Sequence, residues 1–181
     1  MSTTEATTTA RLAALEPVCT TAEALALYDD LPAVRPEEVT GRYRGRELGT
    51  GHAMDGLLET SGWYGKQFDD VDHVHPLLLR DLSGSVFPLE PRMVPLGIVP
   101  KVPAALVARS RSAIGTLKPL LSTKKHRARL RAVDHRGVVT AAMVYDHLPI
   151  IDYFRRVDAD RLLGMMDLRD AAPYFFVLTR D

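Results

Sequence analysis

Residues Val138 to Arg156 read VVTAAMVYDHLPIIDYFRR. The first part, Val138 to Tyr145, is a β-favouring run that follows the turn Asp134-His135-Arg136-Gly137. Before that turn, Arg127-Ala128-Arg129-Leu130-Arg131-Ala132 alternates strictly, as a strand with one wet and one buried face does. Two such runs around a short Gly-containing turn predict an antiparallel hairpin. Pro149 breaks the pattern. Beyond it, Ile150, Ile151 and Phe154 fall on one side of a helical wheel, which predicts a short helix over 149–156. Arg161 to Leu168 and Tyr174 to Thr179 then give a last strand pair across Asp170-Ala171-Ala172-Pro173.

Upstream, Thr20-Thr21-Ala22-Glu23 has capping-box spacing and opens a helix over 21–30, which Leu31-Pro32 ends. The Thr- and Ala-rich residues 1–17 read as a mobile or loosely docked tail, with the folded part beginning after residue 19. Gly41 to Leu48, Trp63 to Phe68, Val74 to Leu79 and Ser85 to Phe87 are predicted strands, and Ala53 to Ser61 a short helix. Prolines at 88, 91, 95, 100 and 103 predict an ordered loop or edge segment, and 104–121 is ambiguous between helix and loop. Many short strands joined by short turns predict a mainly β protein, an antiparallel barrel with a few short helices, formed as one domain over 20–181.

The 181 residues carry 23 Lys+Arg and 23 Asp+Glu, so no net field gathers polyanions or anionic membranes. The one cysteine, Cys19, excludes an internal disulfide framework. No apolar run reaches the roughly 20 residues of a membrane span. The expectation is a soluble cytoplasmic protein with no nucleic-acid partner, no membrane insertion and no cofactor. Its oligomeric state is open, a homodimer being one option.

Several short patterns occur in a fixed order: Gly41-x-Tyr43-x-Gly45, Gly45-Arg46-Glu47-Leu48, Thr50-Gly51-His52, Trp63-Tyr64-Gly65-Lys66 and His75-Pro76-Leu77-Leu78. Later come Gly137, Ala141 to Asp146, Pro149 to Arg155, Gly164 to Asp167 and Phe175 to Leu178. In these the chain resembles the small bacterial proteins that join a GXWXG segment, here 38–100, to a domain of unknown function 4334, here 120–181. Tyr43 stands where the family's name has Trp. The resemblance implies a lipocalin-like or fatty-acid-binding-like barrel that holds a hydrophobic small molecule and has no established reaction.

On that expectation Tyr43, Met54, Trp63, Tyr145, Tyr153, Phe154, Met165 and Phe175 are wall candidates, and His52, Lys66 and Arg155 are polar anchors for one ligand group. Each has a plainer reading as core or surface. Asp146 caps a helix at Pro149, Asp152 and Arg155 pair at i,i+3, and the apolar residues fill a core. On a strand, only one of Phe175 and Phe176 faces inward. An enzyme using Asp146 or Asp152 as base, with His52 or His75 assisting, is the first alternative, and an interaction module docking through 88–103 the second. His73-x-His75 offers two imidazoles on one strand face, one or two ligands short of a metal site, and reads as a hydrogen-bonded pair. Cys19 lacks a partner base, and Ser61-Gly62 and Ser83-Gly84 lack the flanking pattern of an esterase elbow. The basic run Lys124 to Arg131 reads as the wet face of a strand.

Overall fold

The computed structural model describes residues 3–94 and 117–181. Helices α1 (Thr3–Leu15) and α2 (Thr21–Asp30) precede strand β1 (Gly41–Leu48), the short helix α3 (Leu57–Ser61), β2 (Trp63–Phe68), β3 (Val74–Arg80) and β4 (Val86–Pro88). After the second described stretch begins come β5 (Ala128–His135), β6 (Val138–Tyr145), β7 (Ile150–Arg156), β8 (Arg161–Leu168) and β9 (Tyr174–Arg180). All pairings are antiparallel, and β1, β2, β3, β5, β6, β7, β8 and β9 close on one another in a barrel-like ring, with β4 added outside it on β3. The mainly β expectation is met.

The β5–β6 hairpin forms as its sequence predicts. Arg136 and Gly137 both take positive φ (55° and 76°), the two-residue turn whose twist matches the flanking strands. The ring closes most thinly between β3 and β5. Val74 faces Ala128 there, and Arg127 and Leu130 donate backbone bonds to Val74 and Val71 at 2.9 and 2.7 Å.

Three expectations are corrected. Residues 149–156 are not a helix but strand β7, paired with β8 from Ile150↔Leu168 to Arg156↔Leu162. Asp146 therefore caps no helix there; it pairs with Arg129 at 2.8 Å. The tail expected over residues 1–17 folds as α1, with Leu12 wholly buried. The helix expected over 53–61 shrinks to α3, and the turn before it carries Met54. The readings of 104–116, and of the Pro-rich segment beyond Val94, lie outside the described residues.

Strand alternation divides the core in two. Inward-facing residues form one cluster: Tyr43, Trp63, Phe68, Met143, Tyr145, Phe154, Tyr174, Phe176 and their neighbours. The outward faces of β6 to β9 form the other, packing Ala142, Tyr153, Leu163, Met165, Phe175 and Val177 under Leu12 of α1 and Leu27 and Tyr28 of α2. The link after α2 is part of the sheet region. β6 and β7 pair only from Ala142↔Tyr153 to Val144↔Ile151, and residues 32–34 enter the gap beyond. Pro32 accepts from Arg156 N at 2.9 Å, Ala33 bridges Arg155, and Val34 accepts from Ala141 N at 2.7 Å.

Two glycines make room for interior rings. A Cβ on Gly45 would lie 2.1 Å from the Trp63 ring, and one on Gly164 would lie 2.3 Å from Phe176, which sits opposite it on β9. Each aromatic lies flat over a neighbouring strand because that strand has no side chain there.

Candidate functional site

Lys66 lies midway along β2, level with Tyr43 of β1, and its side chain points into the ring. Inside, its Nζ meets Asp152 Oδ2 of β7 at 2.7 Å. The same Nζ donates to the Pro76 carbonyl at 3.1 Å and to Tyr145 Oη at 3.4 Å. Aromatic rings surround it, with centroids of Phe176, Tyr145 and Trp63 at 5.0, 5.6 and 5.8 Å. Lys66 is 2% exposed and Asp152 1%. Both side chains are shielded from solvent.

The pair is incompletely satisfied. The Nζ–Oδ2 contact is close but not aligned as a hydrogen bond, Asp152 Oδ1 has no partner, and neither does the Trp63 indole N–H. Burial pushes the Asp152 carboxyl up from its ordinary range, against the opposing pull of the Lys66 charge. Burial, then the Asp152 charge, pushes the Tyr145 hydroxyl well above its usual value. A buried ion pair recovers its desolvation cost only when remaining lone pairs and protons are matched, and here they are not. The arrangement presents a cation, a carboxylate oxygen and an indole N–H to whatever polar atom enters among the rings.

An open cleft of about 420 Å³ is lined by Val144, Tyr145, Leu148, Pro149, Ile150 and Ile151, with Asp167 and Arg169. Tyr145 and Ile150 also belong to the interior cluster, so Tyr145 links this cleft to Lys66.

The structure separates the residues singled out from sequence. Tyr43, Met54, Trp63, Lys66, Tyr145 and Phe154 are together in the interior. His52 is half-buried beside it, its ring 5.2 Å from Tyr174, and its Nδ1 accepts from Met54 N at 3.1 Å. Asp55 fixes that loop by accepting from the backbone N–H groups of Thr50, Gly51 and His52 at 3.0, 2.8 and 3.0 Å. Tyr153, Arg155, Met165 and Phe175 face outward and are covered by the helices, so they do not line the interior. Arg155 lies over the Tyr28 ring at 5.1 Å, not over Asp152. Of the adjacent phenylalanines, Phe176 is the inward one. The expectation of Phe175 is corrected: alternation without a known register leaves the inward face undetermined.

Other polar candidates find ordinary roles. The arginines of the basic run are paired locally: Arg127, just before β5, with Glu90, Arg129 with Asp146 and Arg131 with Asp72. Cys19 is buried, donates to the Gly49 carbonyl at 3.3 Å, and has its thiol pushed up by burial first.

Two family models match the chain. The model of GXWXG proteins matches residues 26–84, and that of a domain of unknown function (DUF4334) matches 126–180. No curated protein matches. A crystal structure of a protein from Thermomonospora curvata is 35% identical, with a TM-score of 0.71, over 96% of this chain and 98% of that one. The chain belongs to the family that joins a GXWXG segment to a domain of unknown function (DUF4334).

Proposed function

We propose that the barrel interior binds a hydrophobic small molecule, lipid-like or fatty-acid-like, in the manner of a lipocalin-like carrier. The observation that carries this reading is the Lys66–Asp152 pair, buried among aromatic rings with an unpartnered carboxylate oxygen. A ligand carboxyl or hydroxyl beside the pair supplies the acceptor that the Trp63 N–H lacks and the donor that Asp152 Oδ1 lacks, while the rings of Phe154, Phe176 and Trp63 meet the apolar body. Of the three polar anchors named from sequence, Lys66 is the one retained in the interior, with His52 beside it.

The test is native mass spectrometry on freshly purified protein, with solvent extraction, followed by thermal shift against fatty acids, sterols and aromatic acids. The expected result is a discrete adduct, or a shift with one class that disappears in Lys66→Met/Asp152→Leu. Clean apo protein with no shift across all three classes overturns the reading.

One observation favours a second reading. Asp152 is a buried carboxylate with a raised proton affinity, the property of a general base in an isomerase. Turnover of a bound ligand, with loss of rate but retention of binding in Asp152→Asn, distinguishes it from a carrier. Asp146, the other candidate base, is exposed and paired with Arg129.

A further inference from the structure

The outer side of the thin β3–β5 closure holds a second polar group. Asp69 follows β2, His75 is on β3 and His126 lies just before β5. One metal-ligating atom from each lies within 4.8 Å of the other two. His126 Nε2 is 2.9 Å from Asp69 Oδ2, and the His75 and His126 rings are 4.5 Å apart. His75 is only 8% exposed, and its Nδ1 has no hydrogen-bond partner. A buried imidazole nitrogen without a partner, beside a second imidazole and a carboxylate, is costly as a purely structural arrangement.

We propose that Asp69, His75 and His126 bind one divalent transition-metal ion, zinc being the best match to two imidazoles and one carboxylate. Zinc bonds of about 2.0–2.1 Å in a tetrahedron set ligand atoms roughly 3.4 Å apart, so the cluster needs to move by less than an ångström or two. Three protein ligands leave the fourth position to water. Carboxylate, imidazole and water also suit other divalent metals, but two nitrogens weigh against magnesium and calcium. His73 stands next to the group, its ring 4.9 Å from His126 and its Nδ1 held by Asp70 Oδ2 at 2.8 Å.

The position gives the ion a mechanical role. Asp69 and His75 belong to the segment matched by the GXWXG model, whereas His126 is the first residue matched by the second model. The ion ties the two across the seam where Val74 faces Ala128. This inference does not depend on what the barrel interior binds.

The experiment titrates the metal-free full-length protein with zinc chloride by calorimetry, and counts bound ions by native mass spectrometry. One zinc per chain is expected, with a thermal midpoint that rises with zinc concentration. Because His75 is buried, the half-exposed His126 supplies the decisive variant. His126→Ala should lose about tenfold or more in affinity and lose the zinc-dependent rise, while keeping the metal-free circular dichroism spectrum. His147→Ala, on an exposed loop, should bind as the parent does. Absence of stoichiometric uptake, or equal affinity in His126→Ala, overturns the proposal.

Discussion

Two buried cations, one reaching the inner face of β7 from β2 and one borne on the outer face of β7, behave differently. Lys66, inside the ring, meets the carboxylate of Asp152. Arg155, three residues after Asp152 on β7, faces outward beneath α2; its Nη1 reaches the Leu31 carbonyl at 3.5 Å and its guanidinium lies over Tyr28. No carboxylate is within ion-pair distance of Arg155 among the described residues. The outer cation is held by a π face and a carbonyl at the end of a helix, places where a delocalised, weakly hydrated guanidinium fits. The inner one is a compact ammonium that requires a counter-charge. Arg155 Nε and Nη2 also lack partners, so neither burial nor incomplete satisfaction separates the two; the opposed charges of Lys66 and Asp152 inside the ring do.

The comparison breaks most sharply at Lys66. Lys66→Ala leaves Asp152 buried and uncompensated and should cost about 3–5 kcal/mol in urea unfolding. The double variant Lys66→Met/Asp152→Leu should be neutral or up to about 4 kcal/mol more stable than the parent. A double variant as weak as Lys66→Ala would make the pair a structural element. Next, Gly45→Ala drives a methyl into the Trp63 ring beside the pair, and should cost about 1–3 kcal/mol by the same measurement. Arg155→Met keeps the packing stem, leaves no orphan charge, and loses the Tyr28 ring contact and a long bond to the Leu31 carbonyl, so about 1 kcal/mol is expected. A loss as large as that of Lys66→Ala would mean that the two cations are not different in kind.

The smallest effect is in pH. The folded-state pKa of Asp152 is raised, so the folded state binds the extra proton. Its contribution is fully present below the ordinary carboxylate value and is lost as pH rises through the raised one. Relative to the double variant, the parent should therefore lose stability on going upward from acid across that window. Parallel curves of unfolding free energy against pH would show that Asp152 is not desolvated as the geometry implies.

What the sequence makes legible follows from alternation. β5 and β6 are wet on one side for part of their length, so Arg129, Leu130 and Arg131 reveal a period of two. β7 is buried on both faces except at Ile151 and Arg156, because the interior takes Asp152 and Phe154 while the helices and the residue 32–34 link cover Tyr153 and Arg155. A strand buried on both sides loses its alternation, and its apolar residues then fit a helical wheel equally well. Helix α1 was obscured for the opposite reason: Leu12 is its fully buried contact, set among threonines and alanines. Lys66 is legible as a polar residue between aromatics, but its partner carboxylate is not, since the helical spacing of 149–156 puts Asp152 on a surface beside Arg155. His126, the third member of the outer cluster, lies in a basic run 57 positions from Asp69. Nothing local connects them.

The link at Pro32 to Val34 also bears on when the chain can fold. Val34 N donates to Thr140 Oγ1, 106 positions later, and Pro32 and Ala33 bond to Arg156 and Arg155. During synthesis, the N-terminal helices therefore wait for most of the barrel before their link has anything to pair with. Contacts of such long sequence separation impose a high loop-closure cost before they return any stability, which slows folding. At roughly 5–20 residues per second, the ribosome leaves that early segment unpartnered for several seconds. A folding assay on ribosome-bound chains should find the link protected only after β7 has emerged from the exit tunnel. Closure of the barrel thus follows the emergence of its late strands and does not record the order in which its parts are made.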